Sequence, residues 1–191
     1  GMGSSVNIST PRKINGMEGV CKISAGDYHC IVLKNDGTVW GWGYNGYGQL
    51  GDGTTVSIYS PKKFVGLSDI VDIATSSTHT FALKNDGTVW ACGYNAYGQL
   101  GDNTKTNRHV PVVASALSNI RSVFAGMSYS IIIKNDGTVW TWGSNWYGQL
   151  GDGTRTTRNE PVEIQELANS MYISANAWHS LALKNDGTVW A

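Results

Sequence analysis

The chain has 191 residues in which 14 Lys and Arg balance 14 Asp and Glu, with 24 Gly, 4 Pro, 8 Trp and 9 Tyr. That balance leaves no net positive field for a phosphate backbone and no run of like charge, which argues against nucleic acid as a partner. No apolar run approaches the ~20 residues that cross a bilayer, so no membrane partner is expected, and abundant glycine with many aromatics describes an all-β chain of tight turns.

Gly1-Met2-Gly3-Ser4-Ser5 lacks the charged-then-apolar pattern of a signal peptide. Gly1 before Met2 reads as a cleavage scar, so the cellular compartment stays open. Gly3 through Pro11 then match Gly53 through Pro61, and Pro11, Pro61, Pro111 and Pro161 keep a fifty-residue spacing with no insertion. Cys21, Cys30 and Cys92 are an odd number without a CxxC pair, which favours small core or surface residues over a disulfide framework or zinc site.

Ile31-Val32-Leu33, then Asn35-Asp36-Gly37, then Val39-Trp40-Gly41-Trp42 predict a hairpin, with the glycine taking the positive φ of a primed turn. Lys-Asn-Asp-Gly-Thr-Val-Trp recurs at 34–40, 84–90, 134–140 and 184–190, and Tyr-Gly-Gln-Leu-Gly-Asp at 47–52, 97–102 and 147–152. Ile70 to Ala74 predicts a strand before the next hairpin. Val110-Pro111-Val112-Val113 predicts another, with proline suited to an edge strand or a strand start, where its missing N–H is tolerated. Four short strands per fifty residues, with no 3.6-residue periodicity, predict β-propeller blades of four antiparallel strands. One domain over 1–191 is expected, with repeats at approximately 3–52, 53–102, 103–152 and an incomplete 153–191 that ends at the equivalent of Trp40-Gly41.

Ile23-Ser24-Ala25-Gly26-Asp27-Tyr28-His29 leading into Ile31-Val32-Leu33, followed by the hairpin and Tyr47-Gly48-Gln49-Leu50-Gly51, resembles the repeat of the regulator-of-chromosome-condensation family. The resemblance covers essentially the whole chain and implies a propeller, usually of seven blades. It also implies a function drawn from exchange factors, enzyme inhibitors and adaptors, since one fold hosts many activities. Gly26 gives way to Ser76 and Asn176, and the histidine of His29, His79 and His179 gives way to Tyr129.

Candidate chemistry reduces to turn chemistry. The recurring histidines lie one per blade, too far apart for a single ion with ligands at ~2 Å, and are expected to brace turns by hydrogen bonds. Asn35-Asp36-Gly37 and Gly51-Asp52-Gly53-Thr54 lack the twelve-residue spacing of a calcium loop. No phosphate loop, dinucleotide fingerprint or nucleophile elbow occurs. Lys34, Lys84, Lys134 and Lys184 recur beside the turn, as a solvated position would. No catalytic residue, cofactor or metal is expected.

Positions that differ between the copies are free of the demands of the fold, and several are aromatic. Tyr28, Tyr44, Tyr94, Trp146 and Trp178 are the candidate binding surface, because Tyr and Trp bury large areas at low entropic cost and loops on one propeller face would gather them. The alternative is that Tyr44 and Tyr94 cover neighbouring blades and that Trp146 and Trp178 are buried between them.

The expected function is a protein-binding scaffold, not an enzyme, with a protein partner of unidentified kind. The alternatives are a guanine-nucleotide exchange factor, an enzyme-inhibitor propeller, and an architectural repeat fragment that self-assembles. Uniform spacing leaves no inserted wedge to disturb a GTPase. The incomplete fourth repeat suggests an unpaired edge, and hence a homodimer completing a ring of about eight blades.

Overall fold

The computed structural model describes Gly3, residues 9–114 and residues 117–191. Its strands run in chain order as β1 (Val20–Ala25), β2 (His29–Lys34), β3 (Val39–Gly43) and β4 (Ile58–Lys63), then β5 (Ile70–Thr75), β6 (His79–Lys84), β7 (Val89–Gly93) and β8 (Arg108–Val113). The remainder are β9 (Ile120–Ala125), β10 (Tyr129–Lys134), β11 (Val139–Gly143), β12 (Arg158–Glu163), β13 (Ser170–Ala175), β14 (Ser180–Lys184) and β15 (Val189–Trp190), with one 3-10 turn at Gln165–Leu167. They form three four-stranded sheets, β1–β4, β5–β8 and β9–β12, and a three-stranded sheet β13–β15, each an antiparallel meander and each a blade of a propeller.

The sequence accounts for the order within each blade. The second strands are apolar on both faces, as in Phe81-Ala82-Leu83 and Ile131-Ile132-Ile133, and are buried between neighbouring sheets. The fourth strands carry Pro61, Pro111 and Pro161 and have exposed residues, which fits an edge that needs no complete hydrogen-bond ladder. β4 lies beyond residue 52, so each complete sheet takes its outer strand from the following fifty-residue repeat.

The cores lie between blades. Ile31, Val39, Phe64, Leu67 and Ile70 pack with Ile73, Ala82 and Cys92 across the first and second sheets. Phe81, Val89 and Leu100 pack with Val123, Ile132 and Trp142 across the second and third, while Tyr129, Ile131 and Leu150 meet Ile173 and Ala182 of the fourth. A blade alone buries neither face, so stability comes from stacking neighbours. The cysteines divide as expected, with Cys21 exposed, Cys30 half-buried and Cys92 buried.

The hairpin differs in turn type. Gly37 N–H donates to Lys34 O at 2.9 Å and Lys34 N–H to Thr38 O at 3.0 Å. Gly37 has φ +75° and Gly87 φ +82°, whereas Asn35 and Asp36 are absent from the positive-φ residues. A primed turn would require positive φ at its first central position. The loop is therefore a type I turn closed by a left-handed glycine, the G1-bulge form. Asp36 fixes it by accepting from Thr38 N–H at 3.0 Å and from Thr38 Oγ1 at 2.6 Å. The hydrogen bonds hold Asp36's carboxyl below the usual carboxylate range, the side-chain bond from Thr38 first. The recurring lysine and tryptophan also pair: Lys34 Nζ lies 5.1 Å from the Trp40 ring centre and Lys134 Nζ 4.2 Å from that of Trp140.

These turns give a graded expectation. Gly87→Ala places a Cβ at 3.5 Å from Asn119 backbone, an ordinary contact, so only the left-handed conformation is penalised, at about 1 kcal/mol. Gly37→Ala adds a Cβ at 3.1 Å from the Asp69 backbone and should cost more. Urea melts of the two variants check the order, and equal losses would remove the crowding argument.

Candidate functional site

The loops between third and fourth strands share one buried organising group. Asn45, Asn95 and Asn145 are fully buried. Asn45 Nδ2 donates to Asp52 Oδ1 at 3.1 Å and to the carbonyls of Thr54 and Val56, while its Oδ1 accepts Leu50 N–H at 2.9 Å. Asn95 repeats the set with Asp102, Thr104, Thr106 and Leu100. Asp102 is tied down further by Arg108 Nε at 2.6 Å. Burial raises the Asp102 carboxyl's pKa, but hydrogen bonds from Thr104, Arg108 and Asn95 outweigh it and the group sits below its ordinary value.

These loops project at the end of the sheets that also carries the turns after the first strands, and the two sets bring aromatic rings together. Tyr28 meets Tyr44 at 6.3 Å between ring centres, and Tyr44 meets Tyr47 at 6.0 Å. Tyr47 meets Tyr94 of the next blade at 4.9 Å, Tyr94 meets Tyr97 at 6.1 Å, and Tyr97 meets Trp146 of the third blade at 5.6 Å. Most pairs are edge-to-face, the geometry that ring quadrupoles favour. The Tyr44 ring lies over Gly46, where a Cβ would collide with it. The result is a continuous aromatic arc across three blades.

Of the residues singled out from sequence, Tyr28, Tyr44, Tyr94 and Trp146 join this arc. Trp178, on the fourth blade, does not; it pairs instead with Tyr147 of the third blade at 5.0 Å. Trp146 and Trp178 are 59% and 46% exposed, so neither is buried between blades. Tyr94 is half-buried against the neighbouring Tyr47, as the covering alternative expected. Burial first, then the adjacent Tyr97 and Tyr47, pushes the Tyr94 hydroxyl's pKa up, so it stays a neutral donor and acceptor. Tyr47, Tyr97 and Tyr147 belong to the same surface, although they do not vary between copies and so are passed over by a search for variable positions. Their signal was ring size at a loop tip.

The aromatic tips are almost uncharged: segments 26–28, 44–47, 77–78, 94–97, 127–128, 144–147 and 177–178 carry one formal charge, Asp27, while the remainder of the same loops carries Asp52, Asp102, Lys105, Asp152 and Arg155. On the inner side, the turns at Ala25–Asp27, Thr75–Ser77, Ala125–Met127 and Ala175–Ala177 converge on a polar cleft of about 70 Å³. Among the described residues no group of His, Cys, Asp and Glu is arranged to hold a metal ion.

The histidines act between blades more than within turns. His29 Nε2 lies 3.1 Å from Thr80 Oγ1 and in contact with Thr75 Oγ1, both on the second blade. His79 braces its own turn through Ser76 Oγ at 2.9 Å, and reaches Ser130 Oγ of the third blade at 3.2 Å. Tyr129 takes the same place, its hydroxyl donating to His179 O at 2.7 Å. Thr80 and Ser130 in turn each donate at 2.8 Å to a carbonyl of the preceding blade, that of Gln49 and of Gln99.

The family model described as the RCC1-like domain matches residues 1–191. The human E3 ubiquitin-protein ligase HERC2 is 44% identical over 55 residues, 28% of this chain and 1% of that protein. Human WBSCR16 superposes with a TM-score of 0.83 at 25% identity, over 93% of this chain and 48% of that one. Prp20p from Saccharomyces cerevisiae, studied for its binding to Gsp1p and histones, superposes with a TM-score of 0.78 at 23% identity over 87% of this chain and 44% of that one, which shows the fold alone. The chain thus spans less than half the length of each of these proteins.

The two buried imidazoles make stability depend on pH. Burial lowers the pKa of His29 to about 4; burial first and then the neighbouring His29 lower that of His79 to about 3. An unfolded chain protonates both near ~6.5. Stability is therefore complete above that value and falls as pH drops from it toward the folded values, by about 1.4 kcal/mol per pH unit for each histidine. His79→Tyr, which installs the side chain found at Tyr129, should remove about half of this slope between pH 6.5 and 5 in urea melts. An unchanged slope would exonerate His79.

Proposed function

The chain belongs to the RCC1-like domain family, and on that premise we propose that it is a protein-binding propeller scaffold whose contact surface is the aromatic arc. The observation that carries this reading is the unbroken run of rings from Tyr28 to Trp146 along the loop tips, with Tyr28, Tyr44 and Trp146 70%, 41% and 59% exposed. Rigid aromatic side chains are the residues that most often dominate protein interfaces. The loops beneath them are held by buried carboxamides, so little order has to be imposed on binding. Prp20p's binding to Gsp1p and histones makes a protein partner the natural class. The reading is of a non-catalytic module: the buried histidines are neutral structural groups, engaged with serine and threonine hydroxyls of neighbouring blades.

A second reading concerns self-association. Ile23 is 75% exposed although its counterparts Ile73 and Ile173 are 3% and 1% exposed, and Leu181 is 46% exposed where Phe81 and Ile131 are 1% and 2%. Both positions are inter-blade positions elsewhere in the molecule. The Ile23 flank of one copy and the Leu181 flank of another are complementary in the way successive blades are, which supports a head-to-tail homodimer.

Two measurements test these readings. Tyr44→Ala, Tyr94→Ala and Trp146→Ala combined should leave the circular-dichroism melt close to wild type. A protein captured from the source cells by the wild type should be retained at least tenfold less by this variant, since hot-spot truncations cost ~2 kcal/mol or more. Equal retention of every captured protein would overturn the arc as the contact surface, and accelerated nucleotide release from a small GTPase would favour exchange activity. For self-association, light scattering behind size exclusion should give a dimer mass that Ile23→Lys converts to monomer; a monomer across micromolar concentrations would end that reading.

A further inference from the structure

At the two seams inside the array, first blade to second and second to third, the aromatic rings form corners and not a platform. Tyr47 of the first blade meets Tyr94 of the second at 4.9 Å with their planes 52° apart, and Tyr97 of the second meets Trp146 of the third at 5.6 Å and 79°. Tyr94 and Tyr97 join the two corners at 6.1 Å and 74°. The three tyrosines are half-buried and Trp146 is exposed, so each ring keeps part of its surface open. A flat ligand such as a sugar ring needs an open, level face to lie on, and crossed rings do not offer one. A corner accepts a compact, rigid ridge.

The polar groups of these corners can donate. Among the described residues Tyr129 is the one tyrosine whose hydroxyl is bonded within the chain, and the indole N–H groups with partners are those of Trp40, Trp140, Trp142 and Trp190. The hydroxyls of Tyr47, Tyr94 and Tyr97 and the ring N–H of Trp146 are therefore uncommitted. The backbone N–H groups of Tyr47 and Tyr97 are already spent, on Gln49 Oε1 and Gln99 Oε1 at 3.0 Å each. Charge narrows the choice further. Asp52, Asp102 and Asp152, the carboxylates of these loops, are paired with Lys62, Arg108 and Arg158, so a basic peptide finds no free counter-charge on them.

We infer that the two corners hold a proline-rich segment of a protein partner in the polyproline II conformation, with the phenol hydroxyls and the Trp146 N–H donating to its backbone carbonyls. The inference rests on the docking reading above and names the chemistry of the partner. A polyproline II helix has three residues per turn and no internal hydrogen bonds, so its carbonyls point outward unpaired. Proline has no N–H to satisfy, which leaves a ligand of rigid apolar ridges and acceptors alone, the complement of crossed rings and donors. Aromatic-lined grooves are the known docking sites of such segments. Both sides are ordered beforehand, the ligand by its pyrrolidine rings and the loops by Asn45, Asn95 and Asn145, so binding has little entropy to overcome.

The probe is capped L-decaproline, titrated into the full chain by calorimetry. It should bind saturably, and its D-enantiomer, a helix of the opposite hand, should bind about tenfold more weakly or not at all, as should a Gly-Ser peptide of equal length. Raising the salt about tenfold should change the affinity less than about twofold, since no ion pair is made. Trp146→Ala should weaken the L-peptide about tenfold, and Tyr97→Phe, which keeps the ring and removes one donor, about threefold. Tyr172→Ala, an exposed ring on β13 outside the corners, should leave the affinity unchanged. No saturable binding of the L-peptide, or equal binding of the two enantiomers, overturns the inference, and saturation by cellohexaose in place of the L-peptide would show the ligand to be a glycan. If the L-peptide fails while the triple arc variant still loses a captured protein, the proline-rich occupant is wrong and the docking face stands. If the L-peptide binds and Trp146→Ala weakens it, yet the triple variant keeps every captured protein, the corners are a proline-rich site and the wider docking reading fails.

Discussion

A single buried carboxamide in each complete blade governs what the surface of this protein can be. Asn45, Asn95 and Asn145 each satisfy both ends of the amide inside the loop that follows the third strand. Loop backbone cannot be buried without partners, and here one side chain supplies several at once. Replacing it with an apolar residue would strand a loop N–H and several carbonyl acceptors. Because the loop is fixed from within, its outward residues carry no folding duty, and large rings such as Tyr44 and Trp146 can stand at its tip with substantial exposure. The aromatic surface is a consequence of interior hydrogen bonding.

A second set of bonds joins the blades. The hydroxyl at Thr80 and Ser130 ties backward to a glutamine carbonyl and is itself met by an imidazole from the preceding blade. Each imidazole is neutral because it is buried, and neutrality is what lets it sit among hydroxyls without a counter-charge. Tyr129 performs the same reach with a phenol, which explains why the histidine is replaceable at that position but a small residue is not found there. The apolar cores and these polar links lie in the same seams, so the seams are where both cohesion and acid sensitivity reside.

The strands, their order and their period were legible because they depend on local patterns: alternation around Asp36-Gly37, proline in the outer strands, and a spacing that never slips. The turn type was not, since Asp-Gly is compatible with two hairpin loops and only the bonding of Lys34 to Gly37 and Thr38 decides between them. Variation between copies singled out Tyr28, Tyr44, Trp146 and Trp178, which are exposed, and Tyr94, which is half-buried, yet could not see that Tyr47 and Tyr97 link four of them, because a residue can be invariant for the turn and still present its ring outward. Nor could spacing reveal that the histidines reach across blades. Partners fifty residues away occupy matching places in the repeat, so periodicity hides such contacts inside its own regularity.

The outer strand of each complete sheet comes from the following repeat, and this offset separates the unit of inheritance from the unit of folding. A duplication of one fifty-residue segment delivers the closing strand of an older blade together with the first three strands of a new one. Every junction made this way is stitched by backbone pairing as well as by side-chain packing, so a copied segment is held at both ends before its own surface has diverged. Lengthening such a protein by whole repeats is thus mechanically safe, and the loops at the aromatic end are free to change in the new copy from the first generation onward.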